Sequence, residues 1–360
     1  MSEIDIDKDR EILNILTDCA ESGCSDIFII PGSNIKTKLN GKFQDFTVEP
    51  LNPHACSSYI RWIYNLADRK MGDFMNRGED DFSFTISGIA RFRCSAYKQR
   101  GTLAAVIRVV KFGLPDYTEL HIPKEVVGLY KEKDGMVLIT GPAGSGKSTT
   151  LACIVDQINE TKEGHIITLE DPIEFLHKHK KSLVSQREIS QDSLSYLSAL
   201  RSALRQTPNA ILLGEMRDIE TTHTALLAAE TGQLLLSTLH TIGAAKTIDR
   251  IIDIFPAEQQ QQVRVQLSIV LKAVVSQQLI PTIDGKMIPA IEFMRVNPAI
   301  RTLIRDGKTH QIQNVITSTQ GMWTMDSYLL DLYKSGNIDK DAAMNYCVNQ
   351  DFMYRALNGA

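Results

Sequence analysis

The sequence predicts an α/β architecture in two parts, a small α+β domain followed by a larger domain built on a mostly parallel sheet. Three observations predict it. Short apolar runs at residues 136–140, 165–169, 210–213 and 234–238 alternate with helix-length segments, the pattern of strands buried on both faces by crossover helices. Residues 82–110 instead read as extended pieces joined by short turns, the pattern of an antiparallel meander. A Gly-x-x-x-x-Gly-Lys-Ser stretch at residues 141–148 directly follows the first apolar run and precedes a helix-compatible run, the context in which that spacing carries chemistry.

The 360 residues exceed what one hydrophobic core usually serves, so two domains are expected. With 43% hydrophobic and 23% charged residues, the composition is that of a packed protein and not of a disordered one. A net charge of −4 offers no global attraction to nucleic acid or to an anionic membrane, so neither is an expected partner. Cys19, Cys24, Cys56, Cys94, Cys153 and Cys347 form no Cys-x-x-Cys pair, which points to reduced thiols acting as small core residues in a cytosolic protein. No stretch approaches the roughly 18 consecutive apolar residues of a membrane span, so no transmembrane segment is expected.

In the first part, Ile12, Leu13, Ile15 and Leu16 recur at helical spacing, and residues 26–30 then read as extended. Asn40-Gly41 sits between two short extended pieces, a pair that favours a tight hairpin. The meander runs through an extended piece at 82–86, a Ser87-Gly88 turn, a piece at 90–99, a break at Arg100-Gly101 and a piece at 103–110. Phe92, Cys94 and Ala96 alternate with Arg91, Arg93 and Ser95, so a period of two sends the arginines to the face away from the core. On the residues alone, that face is most simply a solvated one. The Gly-Leu-Pro-Asp stretch at 113–116 breaks the pattern and marks a linker. Beyond the last apolar run, Val263, Leu267, Val270, Leu271 and Val274 predict an amphipathic helix, and the spacing predicts further helices over 298–305 and 325–333.

The chemistry concentrates at the ends of predicted strands. Glycines at 141, 144 and 146 let backbone N–H groups turn inward around phosphate oxygens, and the helix that follows adds the positive field of its amino terminus. Lys147 then reaches the β- and γ-phosphates of ATP, and the Ser148 hydroxyl ligates Mg2+. Gly141, Pro142, Ala143, Gly144, Ser145, Gly146, Lys147, Ser148 and Thr149 make up the expected nucleotide site. A second cluster, Glu170-Asp171-Pro172-Ile173-Glu174, follows the second apolar run and so stands at the carboxyl edge of the sheet, where α/β proteins bind ligands. Its carboxylates suit water activation or contacts to metal-bound water, although a solvated acidic turn would read the same way. Glu215 follows the third run after a single glycine, and His240 ends the fourth. A lone histidine is more often structural, but four strand ends converging on one edge favour a shared site.

Five stretches make the sequence resemble the type II/IV secretion ATPase superfamily: residues 140–150 (TGPAGSGKSTT), 167–175 (ITLEDPIEF), 199–205 (ALRSALR), 211–218 (ILLGEMRD) and 237–256 (STLHTIGAAKTIDRIIDIFP). Within it the resemblance is closest to the motors that retract type IV pili. It extends to Arg91-Phe92-Arg93, and to residues 299–312 (AIRTLIRDGKTHQI) and 321–333 (GMWTMDSYLLDLY). The resemblance implies a PAS-like α+β N-terminal domain (1–112), a linker (113–120) and a RecA-like P-loop ATPase domain with a C-terminal helical part (121–360). Nucleotide would be sandwiched between the two domains of a homohexameric ring. Glu174 would be the general base or water-positioning residue, Glu215 the Walker B acid acting on Mg2+ and water, and His240 a sensor. Arg93 and Arg108 would bring positive charge to the γ-phosphate, with Arg91 and Arg100 as further candidates; arginines in that role contribute up to about 10³–10⁵ in rate. ATP and Mg2+ are the implied cofactors, twitching motility the implied process. The implied partner is an inner-membrane pilus platform protein, met from the cytoplasm by a ring peripheral to the inner face of the membrane.

Four places depart from the family pattern. Phe28 and Gln233 stand where His is frequent, residues 206–209 (QTPN) replace a usually acidic segment, and Ala143 replaces a frequent Thr. Gln233 carries no charge where a histidine could, which bears on turnover and on signalling between subunits. Pilus-extension and type II secretion ATPases share the core but commonly carry a longer N-terminal region and a four-cysteine zinc module. With about 110 residues before the linker and no Cys-x-x-Cys pair, the sequence favours retraction over extension. The same core also suits a DNA-translocating or type IVB secretion ATPase, and an accessory nucleotide-gated ring that hydrolyses little ATP. Residues 299–308 argue against the first, and the intact Lys147, Glu174 and Glu215 against the second.

Overall fold

The computed structural model describes residues 3–358 apart from Asn40, Phe112 and Pro115. The chain divides into two compact units, Met1–Gly113 with Glu174–Leu176, and Leu114–Ile173 with His177–Ala360.

The first unit is α+β. It runs α1 (Glu3–Ser22), β1 (Asp26–Ile29), β2 (Lys36–Leu39), β3 (Lys42–Asp45), α2 (Pro53–Leu66), α3 (Gly72–Arg77), β4 (Glu79–Ile86), β5 (Ala90–Gln99) and β6 (Thr102–Lys111). The strands form one six-stranded antiparallel sheet in the order β3-β2-β1-β6-β5-β4. Helices α1 and α2 cover one face, packing Ile12, Leu16, Ile60 and Tyr64 against Ile27, Phe82, Phe92 and Ile107. The alternation in β5 is as expected: Phe92, Cys94 and Ala96 are buried, whereas Arg93 and Ser95 are exposed. Arg100 (φ 48°) and Gly101 (φ 77°) make the break between β5 and β6, two left-handed residues in a row that match the twist of a hairpin. Strands β2 and β3 pair from Leu39↔Lys42; Asn40 of the expected Asn40-Gly41 turn lies outside the described residues, as does Pro115 of the expected linker. Helix α2 was not among the expected elements. Asn52 caps it by accepting the Ala55 N–H at 2.8 Å, Pro53 opens its first turn, and Cys56, Tyr59, Ile60 and Ile63 repeat at helical spacing on its buried side.

The second unit runs α4 (Lys124–Val127), β7 (Gly135–Thr140), α5 (Lys147–Thr161), β8 (Gly164–Glu170), β9 (Ser182–Glu188), α6 (Tyr196–Ala203), β10 (Ala210–Leu213), α7 (Ile219–Glu230), β11 (Leu234–Leu239), α8 (Ala244–Asp253) and α9 (Ala257–Val270). It continues through β12 (Leu271–Pro281), β13 (Met287–Arg295), α10 (Pro298–Arg305), α11 (Ile312–Ser318), α12 (Met325–Lys334), α13 (Lys340–Tyr346) and α14 (Gln350–Asn358). The sheet order is β13-β12-β7-β11-β10-β8-β9, parallel throughout except for the antiparallel edge strand β13. One face is covered by α4 and α5, whose Val126, Leu151, Ile154 and Ile158 meet Val137, Ile139, Ile166 and Leu236. On the other face Leu200, Leu226, Ile248, Leu267 and Ile300 meet Met136, Leu138, Ile167 and Leu235. Helices α12, α13 and α14 pack Met325, Leu329, Ala343 and Met353 on Ile280, Ile288 and Ala290 of the β12–β13 hairpin.

The helix expected beyond the last apolar run is shorter than its pattern implies. Leu271 and Val274 do not continue the helix of Val263, Leu267 and Val270; the helix ends at Val270 and both residues belong to β12. A strand covered on both faces carries no polar alternation, so its apolar residues can be read equally well at helical spacing. The same ambiguity hides β13, which is buried from Ile288 to Met294, and with β9 these strands raise the expected four to seven. All six cysteines are free. Among the described residues no helix is long and apolar enough to cross a membrane.

Candidate active site

The phosphate-binding stretch leaves β7 at Thr140 and enters α5 at Lys147. Gly141 (φ 140°), Gly144 (φ 76°) and Gly146 (φ 83°) all take positive φ. Crowding adds to the demand at two of them. A Cβ on Gly141 would stand 2.0 Å from the backbone oxygen of Gln277 and 2.8 Å from Ser145 Oγ, and one on Gly146 would stand 2.8 Å from Gln277 Nε2. Gln277, buried on β12, donates through Nε2 to the Ser145 carbonyl at 2.6 Å and accepts from Thr150 Oγ1 at 2.8 Å. It therefore pins the loop to the helix that follows. Lys147 Nζ donates to the carbonyls of Gly141 and Pro142, each at 2.8 Å, which holds the ammonium over its own loop. Pro142, Ala143 and Gly144 are exposed, Ser148 and Thr149 half-buried. Ser145 Oγ is buried with no hydrogen-bond partner. A buried hydroxyl left unpaired costs about 1–3 kcal/mol, so this orphan, the left-handed glycines and the positive end of α5 together fit a phosphate group. The Ser148 hydroxyl at the start of α5 and the Glu215 carboxylate are hard oxygen donors of the kind Mg2+ takes.

The acidic side of the site grows from the neighbouring strand tips. The Gly141 N–H donates to the Leu239 carbonyl at 3.2 Å, so the tips of β7 and β11 are joined. After β10, Gly214 leaves no room for a side chain: a Cβ would lie 2.6 Å from Tyr196 Oη and 3.2 Å from the Leu169 carbonyl. Its N–H donates to Leu169 O at 2.8 Å and its carbonyl accepts from Thr238 Oγ1 at 2.5 Å, which fixes where the next residue, Glu215, emerges. The Glu215 side chain is only 15% exposed; Arg217 Nε lies 2.6 Å and His240 Nε2 3.8 Å from its carboxylate. Burial pushes the Tyr196 phenol well above its ordinary pKa, and the carboxylates of Glu215, Asp171 and Glu170 push it further. Three carboxylates thus gather negative charge around one ring. Glu215, Arg217, Thr238, His240 and Arg250 are among the residues lining a cavity of about 430 Å³ at this edge.

The remaining expected residues fall elsewhere. Glu174 is exposed, and Glu174–Leu176 group with the first unit. Arg93 and Arg108 belong to the first unit, where they are direct cross-strand partners on β5 and β6 and so share a sheet face. Arg108 Nε contacts Asp26 Oδ1 at 3.1 Å, a buried carboxylate that also accepts from Ser25 Oγ at 2.8 Å. The sheet edge of the second unit thus brings together the phosphate loop, Glu215 and His240. Three contributors go unforeseen in the sequence: Gln277, Tyr196 and Arg217. Only Arg217 had a signal, standing two residues from an acid already singled out.

A family model described as type II/IV secretion system protein matches residues 5–315. The chain belongs to that family. Among its relatives, this type II/IV secretion system protein is 44% identical over 335 residues to the type IV pilus retractation ATPase PilT of Pseudomonas aeruginosa, covering 92% of this chain and 97% of that one. It is 44% identical over 319 residues to the twitching motility protein of Neisseria gonorrhoeae, covering 88% of this chain and 85% of that one. A crystal structure of the pilus retraction motor PilT with bound ADP matches with a TM-score of 0.87 at 41% identity, covering 95% of this chain and 98% of that chain.

Proposed function

We propose that this type II/IV secretion system protein is an ATP-hydrolysing motor that retracts type IV pili and so powers twitching motility. The observation that carries this is an intact phosphate loop, braced by Gln277 at a strand tip, in a chain that matches a retraction ATPase along nearly the whole length of both. In this reading the amides of residues 141–148 hold the triphosphate, and Lys147 exchanges its carbonyl partners for β- and γ-phosphate oxygens. Ser148 and Glu215 would hold Mg2+, which would neutralise charge on the phosphates. Glu174 orients the attacking water or takes up its proton, Glu215 acts on the metal and on water, and His240 senses the terminal phosphate beside Glu215. Arg93 and Arg108 supply positive charge to the equatorial oxygens from a PAS-like domain (1–112), joined by a linker (113–120) to the ATPase domain (121–360). Six copies form a ring in the cytoplasm that works on a platform protein at the inner membrane.

Steady-state ATP hydrolysis by purified protein tests the enzymatic part. Lys147→Ala should lose nucleotide binding and turnover together, whereas Glu215→Ala should keep ADP affinity and lose about 10²-fold or more in kcat. Unchanged turnover in Glu215→Ala would remove the role given to that carboxylate. Deleting the gene tests the biological part: surface pili should remain abundant but fail to retract, and their absence would identify an extension motor instead.

A further inference from the structure

Two consecutive residues of β12 point to opposite faces of the sheet, and each holds a different loop of the site. Gln277 grips the phosphate loop. Ser276 Oγ, on the other face, accepts the Gly243 N–H at 2.9 Å, and its register partner on β13, Glu292, accepts the next N–H, that of Ala244, at 2.7 Å. Gly243 is the N-cap and Ala244 the first residue of α8, just past His240. The other carboxylate oxygen of Glu292 accepts the N–H of Met325, the first residue of α12, at 3.4 Å. The amino ends of two helices therefore meet on one carboxylate that is 3% exposed. Thr247, in the first turn of α8, adds a contact from its hydroxyl to Thr140 Oγ1 at 3.4 Å, at the last residue before the phosphate loop.

Helix α8 takes its caps from outside its own sequence. Helices α2, α6, α7, α10, α12 and α13 are capped by their own N-cap side chains, Asn52, Ser195, Asp218, Asn297, Thr324 and Asp339. Helix α8 has glycine at that place and takes its caps from β12 and β13. A cap supplied by the helix's own residue stabilises the helix; one supplied across the sheet also fixes where the helix stands. Burying a carboxylate among apolar groups is costly and is offset only when its oxygens are hydrogen-bonded. At Glu292 both oxygens are used.

We propose that Glu292, with Ser276, is a positioning residue for hydrolysis: the pair fixes the loop 240–243 against the sheet and ties its position to α12, while Gln277 independently fixes the nucleotide-binding loop. The proposal rests on the chain being an ATPase and divides two effects between the two faces of one strand. Loosening the Glu292 side changes the rate of the chemical step; loosening the Gln277 side changes nucleotide affinity.

The test uses the full chain and four measurements: kcat for ATP, Kd for ADP, Tm, and hydrogen exchange over residues 325–334 with and without ADP. Glu292→Gln should lower kcat roughly fivefold or more with Kd for ADP changed less than about twofold; ADP should protect α12 in the unsubstituted protein and should fail to do so in Glu292→Gln. Ser276→Ala, a milder change that guards against misfolding of the first variant, should move kcat the same way. Gln277→Ala should weaken ADP binding roughly fivefold or more. The proposal is overturned if Glu292→Gln and Ser276→Ala lower Tm while kcat stays within about twofold, or if they weaken ADP binding as much as they slow turnover. Should the unsubstituted chain hydrolyse no ATP, the function fails on its own account. The exchange data then still decide the link: α12 indifferent to ADP, or equally responsive in Glu292→Gln, overturns it.

Discussion

Gly141 combines a φ of 140° with a backbone oxygen 2.0 Å from where a Cβ would be, so neither strain nor crowding can be relieved by turning a side chain. Gly144, at φ 76° with nothing within 4 Å of its Cβ position, faces strain alone. Gly141→Ala should therefore cost tenfold or more in ADP affinity, on the order of 1–3 kcal/mol of local strain, while Gly144→Ala should cost less. Isothermal titration with ADP on the two variants checks the order; a larger loss at Gly144 would contradict it. These glycines were legible because a phosphate loop fixes backbone conformation over a few consecutive residues, and a short motif can encode that. Gln277 was not, because its bonds to Ser145 and Thr150 exist only once β12 lies beside β7. For Arg108 the residue type and position were legible, but its contact with Asp26, 82 residues away in sequence, was not.

Among elements, those with a local signature were readable. Strands β7, β8, β10 and β11 are short, largely apolar runs bounded by turn residues, and α10 begins with an Asn297 cap and Pro298. The α9–β12 junction was not, since no proline or glycine separates Val270 from Leu271 and both sides are apolar. In the first unit, a polar cluster ties strand β4 to helix α2 and the turn that follows it. Arg69 donates to both oxygens of Asp80, at 2.8 and 2.7 Å, and Tyr64 Oη donates at 2.9 Å. Burial alone would raise the Asp80 pKa, but the hydrogen bonds from Arg69 and Tyr64 together hold it below the ordinary 3.8. A depressed folded pKa means stability that is fully present above 3.8 and is lost as pH falls through the lower folded value. Asp80→Asn should thus destabilise the protein by roughly 1.5–3 kcal/mol at pH 7. The gap from the unsubstituted protein should narrow as the pH drops below the carboxylate range. Thermal melts at neutral and acid pH check both the size and the direction.

At the scale of the molecule, the arginine-bearing sheet and the phosphate loop belong to different units, so the proposed role of the arginines is tested only with both units present. Arg93→Glu should depress kcat by about 10²-fold or more while changing ADP affinity little, because the charge it removes is needed chiefly by the transition state. Equal, small effects on both would place Arg93 outside the chemistry. The pairing of β12 with β7 also sets an order of events during synthesis. Ser145 and the side chain that holds its carbonyl are 132 residues apart. A ribosome adding about 5–20 residues per second takes on the order of ten seconds to cover that gap. Throughout that interval the nascent polypeptide carries every letter of its phosphate signature without the strut that gives those letters their shape. A chain whose translation stops upstream of β12 should therefore hold nucleotide less tightly than the finished one, because nothing yet grips the Ser145 carbonyl.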